Sequence, residues 1–308
     1  MSTPQQHKTS SNNPADTKRF HPRNIHNQSY DFPALIKTLP SLADFVSKNV
    51  FGNLAIDYSH AEAVKQLNTA LLAHHYEITG WAIPEGALCP PIPGRVDYIH
   101  YIADLLEVST DSSAKPIRML DIGIGANGIY SLLASQCYGW ECVGSDINQA
   151  SLNNVALILE KNNTLKQRVS LRHQQNSHQI FKDIIKPDEH FNVTVCNPPF
   201  HASAEEASKS HQQKQHNLNQ KKTTSSLNFG GSADELWCNG GEKLFLKKMI
   251  RESQHYSAQC DWFTSLISKN ENVAPSMKLM RKLGATAVKE IRMLQGKKVT
   301  RVIAWTFR

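Results

Sequence analysis

From Pro116 onward the chain alternates short apolar, β-branched runs with stretches of helical spacing, and very few folds accept that order. IRMLDIG (117–123) reads as a strand, and a helix follows over Gly128–Cys137. ECVGSDI (141–147) is a second strand, followed by a helix over Ala150–Lys161. RVSLRH (168–173) is a third, with a short helix near Ser177–Phe181 after it, and FNVTVC (191–196) is a fourth. A polar segment then intervenes. Beyond it come a helix over Glu242–Ser253, a strand DWFTSLISK (261–269) and a helix over Pro275–Leu283. TAVKEIRML (286–294) and RVIAWTF (301–307) lie close enough to pair antiparallel. A parallel α/β sheet of seven strands ending in an antiparallel pair is expected, one strand more than the common dinucleotide fold.

The turn after the first strand is LDIGIGANG, with Gly123, Gly125 and Gly128 in a literal G-x-G-x-x-G opening a helix. Glycines there let the backbone approach a nucleotide that side chains would block. Asp146 ends the second strand 21 residues after Gly125, where a carboxylate can accept hydrogen bonds from ribose hydroxyls. The pattern serves a nicotinamide dinucleotide and S-adenosylmethionine equally, so by itself it leaves the ligand open.

The fourth strand runs straight into Asn197-Pro198-Pro199-Phe200. Neither proline can continue a central strand, and Asn197 before a proline is pushed toward an extended backbone. A stiff corner results, on the same carboxyl edge of the sheet as the glycine turn and Asp146. Hydride transfer has no use for such a corner, whereas methylation of a planar amine does. The Asn197 side-chain oxygen and the Pro198 carbonyl can each accept one amine N–H, holding a poorly nucleophilic nitrogen in line and favouring its pyramidal form. Phe200 would stack on a base, a contact worth roughly 1–3 kcal/mol.

Composition narrows the classes. At 308 residues with 40% hydrophobic content the chain has room for a sizeable core. No run approaches the roughly 20 apolar residues of a membrane span. Residues 1–20 are polar and lack the apolar stretch of a secretory signal, so they read as a disordered tail. Six cysteines form no C-x-x-C pair and no zinc-like cluster, which suits reduced thiols in the cytoplasm and gives metal catalysis no support. Formal net charge is +7, and Lys278 to Arg308 hold nine basic residues against one acid, Glu290, a balance that suits a polyanion such as RNA.

Taken together, the motifs resemble the N6-adenine methyltransferases as a class, through Asp-Ile-Gly-x-Gly with Asn-Pro-Pro-Phe. The longer stretches HPRN (21–24), YDFPAL (30–35), CPPIPGRVDYIHYIADLL (89–106), LDIGIGANGIYSLL (120–133), CNPPFHAS (196–203) and LNFGG…ELWCNGGE (227–242) resemble the ribosomal RNA large-subunit methyltransferase F family. That resemblance implies a class I S-adenosylmethionine-dependent methyltransferase, a Rossmann-like seven-stranded sheet carrying an N-terminal helical extension. It implies methyl transfer to N6 of one adenine, position 1618, of 23S rRNA, presented as naked RNA or within a large-subunit assembly intermediate. Gly123, Gly125, Asn127 and Asp146 would then hold the cofactor, with Arg95 reaching its carboxylate and Asn176 near its adenine. Asn197, Pro198, Pro199 and Phe200 would form the catalytic tetrapeptide.

The expected organisation is a tail (1–20), a helical extension (21–115) and a methyltransferase domain (116–308) with a mobile, lysine-bearing insertion at about 201–241. In the extension, Leu35, Leu39, Leu42 and Phe45–Val46 have near-helical spacing, AEAVKQLNTALLAHHY (61–76) reads as a helix, and CPPIPGR (89–95) is expected to be non-helical. A monomer is the expected state. Three rivals remain open on the residues alone: a methyltransferase of another planar amine such as a glutamine amide, a non-catalytic RNA-binding protein of the same fold, and a nicotinamide dehydrogenase.

Overall fold

The computed structural model describes residues 19–107, 116–199, 240–295 and 298–308. Most of the polar tail, residues 108–115, Phe200 and nearly all of the expected insertion lie outside the described residues.

Seven strands form one sheet: β3 (Arg118–Ile122), β4 (Glu141–Asp146), β5 (Val169–His173), β6 (Phe191–Cys196), β7 (Cys260–Ile267), β8 (Ala287–Gln295) and β9 (Lys298–Thr306). Their order is β5-β4-β3-β6-β7-β9-β8, parallel from β5 to β7, with β9 antiparallel to both its neighbours. This is the class I methyltransferase sheet anticipated from the strand count. Chain order reverses beside β3, so the carboxyl ends of β3, β4 and β6 meet at one crevice.

Two apolar layers cover the sheet, because pleating sends successive side chains to opposite faces. Met119, Val193 and Val195 pack under α2 (Ala61–Tyr76), α3 (Ile92–Leu105) and α4 (Ile129–Tyr138). Leu120, Ile122 and Cys196 pack under α7 (Gly241–Ser253) and α8 (Val273–Lys282). The N-terminal segment shares the first layer: Leu67, Leu71, Ile99 and Ile102 lie in one cluster with Leu132, Leu133 and Trp140. Helices α5 (Gln149–Glu160) and α6 (Asn163–Arg168) connect β4 to β5.

Three local expectations are corrected. The spacing through Leu35, Leu39 and Leu42 does not make one helix. α1 (Phe32–Thr38) stops before Pro40, which lacks an N–H and would strike the carbonyl of residue 36. A 3₁₀ segment and an antiparallel pair, β1 (Val46–Lys48) with β2 (Leu54–Ile56), follow instead, so the extension is not purely helical. The break CPPIPGR is partly helical, since α3 begins at Ile92. Pro93 sits in its first turn, where a missing N–H costs nothing. The segment near Ser177–Phe181 is a set of turns. The Glu252 carboxylate accepts the N–H groups of Ile180, Phe181 and Lys182, which gives those donors their partners without a helix.

No helix among the described residues is long and apolar enough to cross a membrane. Among those residues no His, Cys, Asp or Glu group of three or more is arranged to hold a metal ion, and the five described cysteines form no disulfide with one another.

Candidate functional site

A cleft of about 750 Å³ opens at the carboxyl ends of the central strands. The expected residues Arg95, Gly123, Gly125, Asn127, Asp146, Asn197 and Pro199 line it together. Pro198 is buried and is not part of the lining, and Asn176 is not part of it either. Asn176 instead shapes the turn after β5: its N–H donates to Gln174 Oε1 at 2.9 Å, and its Oδ1 accepts the His178 N–H at 2.9 Å. Its neighbours Gln174, Ser177 and His178 face the cleft in its place.

The glycine turn is pinned to the end of β4. Gly123 and Ile124 N–H both donate to the Ser145 carbonyl, at 2.9 and 3.0 Å. Gly125 N–H donates to Asp146 Oδ2 at 2.8 Å, while Asn148 N–H donates to Asp146 Oδ1 at 2.9 Å. Two backbone donors therefore set the plane of this carboxylate. Gly123 and Gly125 have φ of +69° and +63°, which side-chain-bearing residues rarely adopt. A Cβ on Gly123 would meet no protein atom within 4 Å, so the room its absence leaves belongs to the cleft.

Asn127 joins the turn to the N-terminal segment. Its Oδ1 accepts the Ile129 N–H at 3.1 Å, and its carbonyl accepts Trp81 Nε1–H at 3.0 Å. Arg95 stands in the first turn of α3. One guanidinium nitrogen donates to the Tyr130 hydroxyl at 2.6 Å, and the group lies 5.5 Å from that ring's centre. Burial pushes the Tyr130 hydroxyl up to about 12, although Arg95 pulls the other way, so the phenol stays protonated. Arg95 Nε is buried without a hydrogen-bond partner among the described residues.

The HPRN stretch secures that turn of α3. Asn24 Nδ2 donates to the Pro93 carbonyl at 2.9 Å and to Asp97 Oδ1 at 2.8 Å, and His21 N–H reaches the same oxygen at 2.7 Å. Burial raises the Asp97 carboxyl above its usual range, and the Asn24 and His21 donors oppose that rise. Further along α3, Asp104 takes His21 Nε2 at 2.9 Å and Arg23 at 2.6 Å.

The acceptor side of the cleft is different. Asn197 follows β6 directly, and its Oδ1 is buried with no hydrogen-bond partner among the described residues. A buried, unpaired amide oxygen costs roughly 1–3 kcal/mol, so the site holds an acceptor that a donor can satisfy.

Sequence reasoning missed several groups. Asp121, 1% exposed, precedes the glycines in Asp-Ile-Gly. Its Oδ2 accepts the Ser131 N–H at 3.2 Å and Oγ–H at 2.9 Å, and its Oδ1 has no partner among the described residues. Burial raises its pKa to about 7, and the negative charge of Asp146 pushes the same way. An acid inside an apolar strand is a readable signal. Tyr130, Phe245 and Lys248 line the cleft, whereas Asp121 lies beneath it, and these three carried no local signal.

The donor set fits S-adenosylmethionine. An unpartnered buried arginine nitrogen suits an amino-acid carboxylate, an oriented Asp146 suits ribose hydroxyls, and the open glycine turn admits the backbone-hugging portion between them.

The family model described as RNA methyltransferase matches residues 14–308. Ribosomal RNA large subunit methyltransferase F of Saccharophagus degradans is 56% identical over 307 residues, spanning 95% of this chain and 96% of that protein. The protein of the same name from Shewanella sp. strain MR-4 is 52% identical over 301 residues, with 96% and 83% coverage. Among solved structures, the catalytic domain of human METTL16 in complex with MAT2A 3′UTR hairpin 1 aligns with a TM-score of 0.80. It shares 26% identity, covering 94% of this chain and 96% of that one. The N-terminal domain of human METTL16 in complex with SAH shares the fold, with a TM-score of 0.76 at 24% identity over 94% of this chain and 100% of that one.

Proposed function

This chain belongs to the RNA methyltransferase family, among the ribosomal RNA large-subunit methyltransferases F, and from that premise we propose that it methylates N6 of a single adenine, position 1618, in 23S rRNA. The observation that carries the amine reading is the Asn197 Oδ1, buried without a partner among the described residues at the end of β6 and lining the same cleft as the glycine turn.

S-adenosylmethionine would supply an electrophilic methyl on a sulfonium, and the residues of this chain do the positioning. Gly123 and Gly125 leave its approach open, Asp146 takes the ribose, and Arg95 takes the carboxylate. Asn197 Oδ1 accepts one N6–H and the Pro198 carbonyl the other, which turns the amine lone pair away from the ring. Phe200 would stack on the base. The methylated nitrogen is strongly acidic and releases its proton to water, so the reading requires no side chain as general base. The N-terminal segment 21–115 belongs to the same site, since it contributes Arg95, Leu88 and Pro90 to the lining, and we assign it a share in RNA binding and in closing over the cofactor.

The test is methyl transfer from labelled S-adenosylmethionine to 23S rRNA lacking its modifications, with product nucleosides resolved by mass and the position mapped. N6-methyladenosine at one site is the expected product. Transfer only to an assembly intermediate would make the ribonucleoprotein the substrate. Label in a protein glutamine would replace the adenine reading with the amide one, and cofactor binding without any transfer would favour a non-catalytic RNA-binding role.

A further inference from the structure

Helix α7 carries a glutamate at each end, and both are committed away from the cleft. Glu242, 2% exposed, accepts the Ser268 N–H and Oγ–H through Oε1, and the Lys269 N–H and Asn272 Nδ2–H through Oε2, at 3.1 and 2.6 Å. This ties the start of the helix to the carboxyl end of β7. Glu252 accepts three backbone N–H groups, from Ile180 at 2.9 Å, Phe181 at 2.7 Å and Lys182 at 2.9 Å, which ties the end of the helix to the loop beyond β5.

Between these anchors Phe245 and Lys248, three residues apart, share a helix face and line the cleft with Asn197 and Pro199. Glu252 stands four residues after Lys248, where a carboxylate ordinarily neutralises a helical lysine. Here its oxygens are taken by the 180–182 backbone. Lys248 is half-buried and has no ion-pair partner among the described residues. An ammonium that gives up hydration on a cleft wall is stabilised most strongly when an anion replaces that water.

The proposed reaction brings two kinds of anion. The cofactor has one carboxylate, and Arg95 beside Tyr130 is placed for it. Every other anion arriving at the cleft is an RNA phosphate. We propose that Lys248 binds a backbone phosphate of the RNA strand beside the target adenine, while Phe245 provides an apolar wall for the same stretch of strand. This inference rests on the RNA methyltransferase reading above and assigns to it a contact that fixes the strand rather than the cofactor.

The experiment compares the full-length protein with Lys248→Met and Lys248→Arg, measuring RNA affinity across a salt series and cofactor affinity by calorimetry. One lost phosphate contact on a single strand should lower the slope of log K against log salt by about 0.7, or about fivefold in affinity at 0.1 M salt. The methionine variant should show that change with cofactor affinity and melting temperature unaltered, and the arginine variant should restore the slope. An unchanged slope in Lys248→Met, or lost cofactor affinity with RNA binding intact, overturns the assignment and leaves the adenine reading standing. A slope difference in a protein that methylates no RNA supports the phosphate contact and overturns the adenine reading instead.

Discussion

The two walls of the cleft are built on different principles. On the wall proposed for the cofactor the backbone does the holding: Asp146 is oriented by Gly125 and Asn148, and the turn above it is bonded to Ser145. On the acceptor wall the polar groups are left waiting, with Asn197 Oδ1 buried and unpaired and Lys248 lacking a counter-charge among the described residues. A ligand whose shape is constant can be met by a preformed surface, at little ordering cost. Groups that act on an approaching nucleophile are more useful if their bonds form only when it arrives. Among the described residues, Arg95 Nε is the exception on the first wall, and Asp121 Oδ1 is a second buried unpaired atom, in β3 below the glycine turn and outside the lining.

Asp121 offers the largest expected effect. Its folded pKa of about 7 lies above the ordinary carboxylate value, so the native state holds this proton more tightly than the unfolded chain does. Its contribution is full below about pH 4, declines as pH rises through 7, and levels off above that. Asp121→Asn removes the titration. Relative to the variant, the wild-type protein should lose on the order of 4 kcal/mol between those limits in denaturant titrations. Parallel profiles would mean the carboxyl finds a partner or water in solution.

Asn197→Ala should lower single-turnover methylation by about two to three orders of magnitude, as for loss of one preorganised polar contact, with cofactor affinity preserved. Equal losses in both would erase the distinction between the walls. Asp146→Ala should do the reverse, weakening the cofactor about 10- to 100-fold by calorimetry, in line with two charge-assisted bonds to ribose, while saturating cofactor recovers most of the turnover.

The smallest effect tests the HPRN strap. Asn24→Ala frees the first turn of α3 and should weaken cofactor binding several-fold by loosening Arg95. In an Arg95→Met background the same substitution should cost almost nothing. Additive losses would make Asn24 a matter of fold stability alone.

Much of the central sheet was legible because strands, turns and helices there follow local rules. The β-branched run into Asn197-Pro198 and the glycines after β3 announce their own backbone geometry. The N-terminal segment was harder to read. Apolar spacing through Leu35, Leu39 and Leu42 mimics a helix, yet Pro40 overrides it, and the β1–β2 pair has only three residues per strand. Arg95 was placed in a break that turned out to open a helix, since the prolines of CPPIPGR sit at and before its first turn. Asn176 illustrates the limit at residue scale: its loop lines the cleft through Gln174, Ser177 and His178, but a turn between Gln174 and His178 claims the Asn176 side chain.

The alternation that builds the parallel sheet and the three motifs on its carboxyl edge are written in local sequence, because each depends on a few consecutive residues and their backbone preferences. The tertiary structure alone decided which polar groups lack partners. Whether Asn197 Oδ1 or Lys248 is satisfied depends on residues far away in the chain, such as the 180–182 backbone that occupies Glu252. Hydrogen-bond satisfaction is a property of three-dimensional neighbours, and no local spacing encodes it.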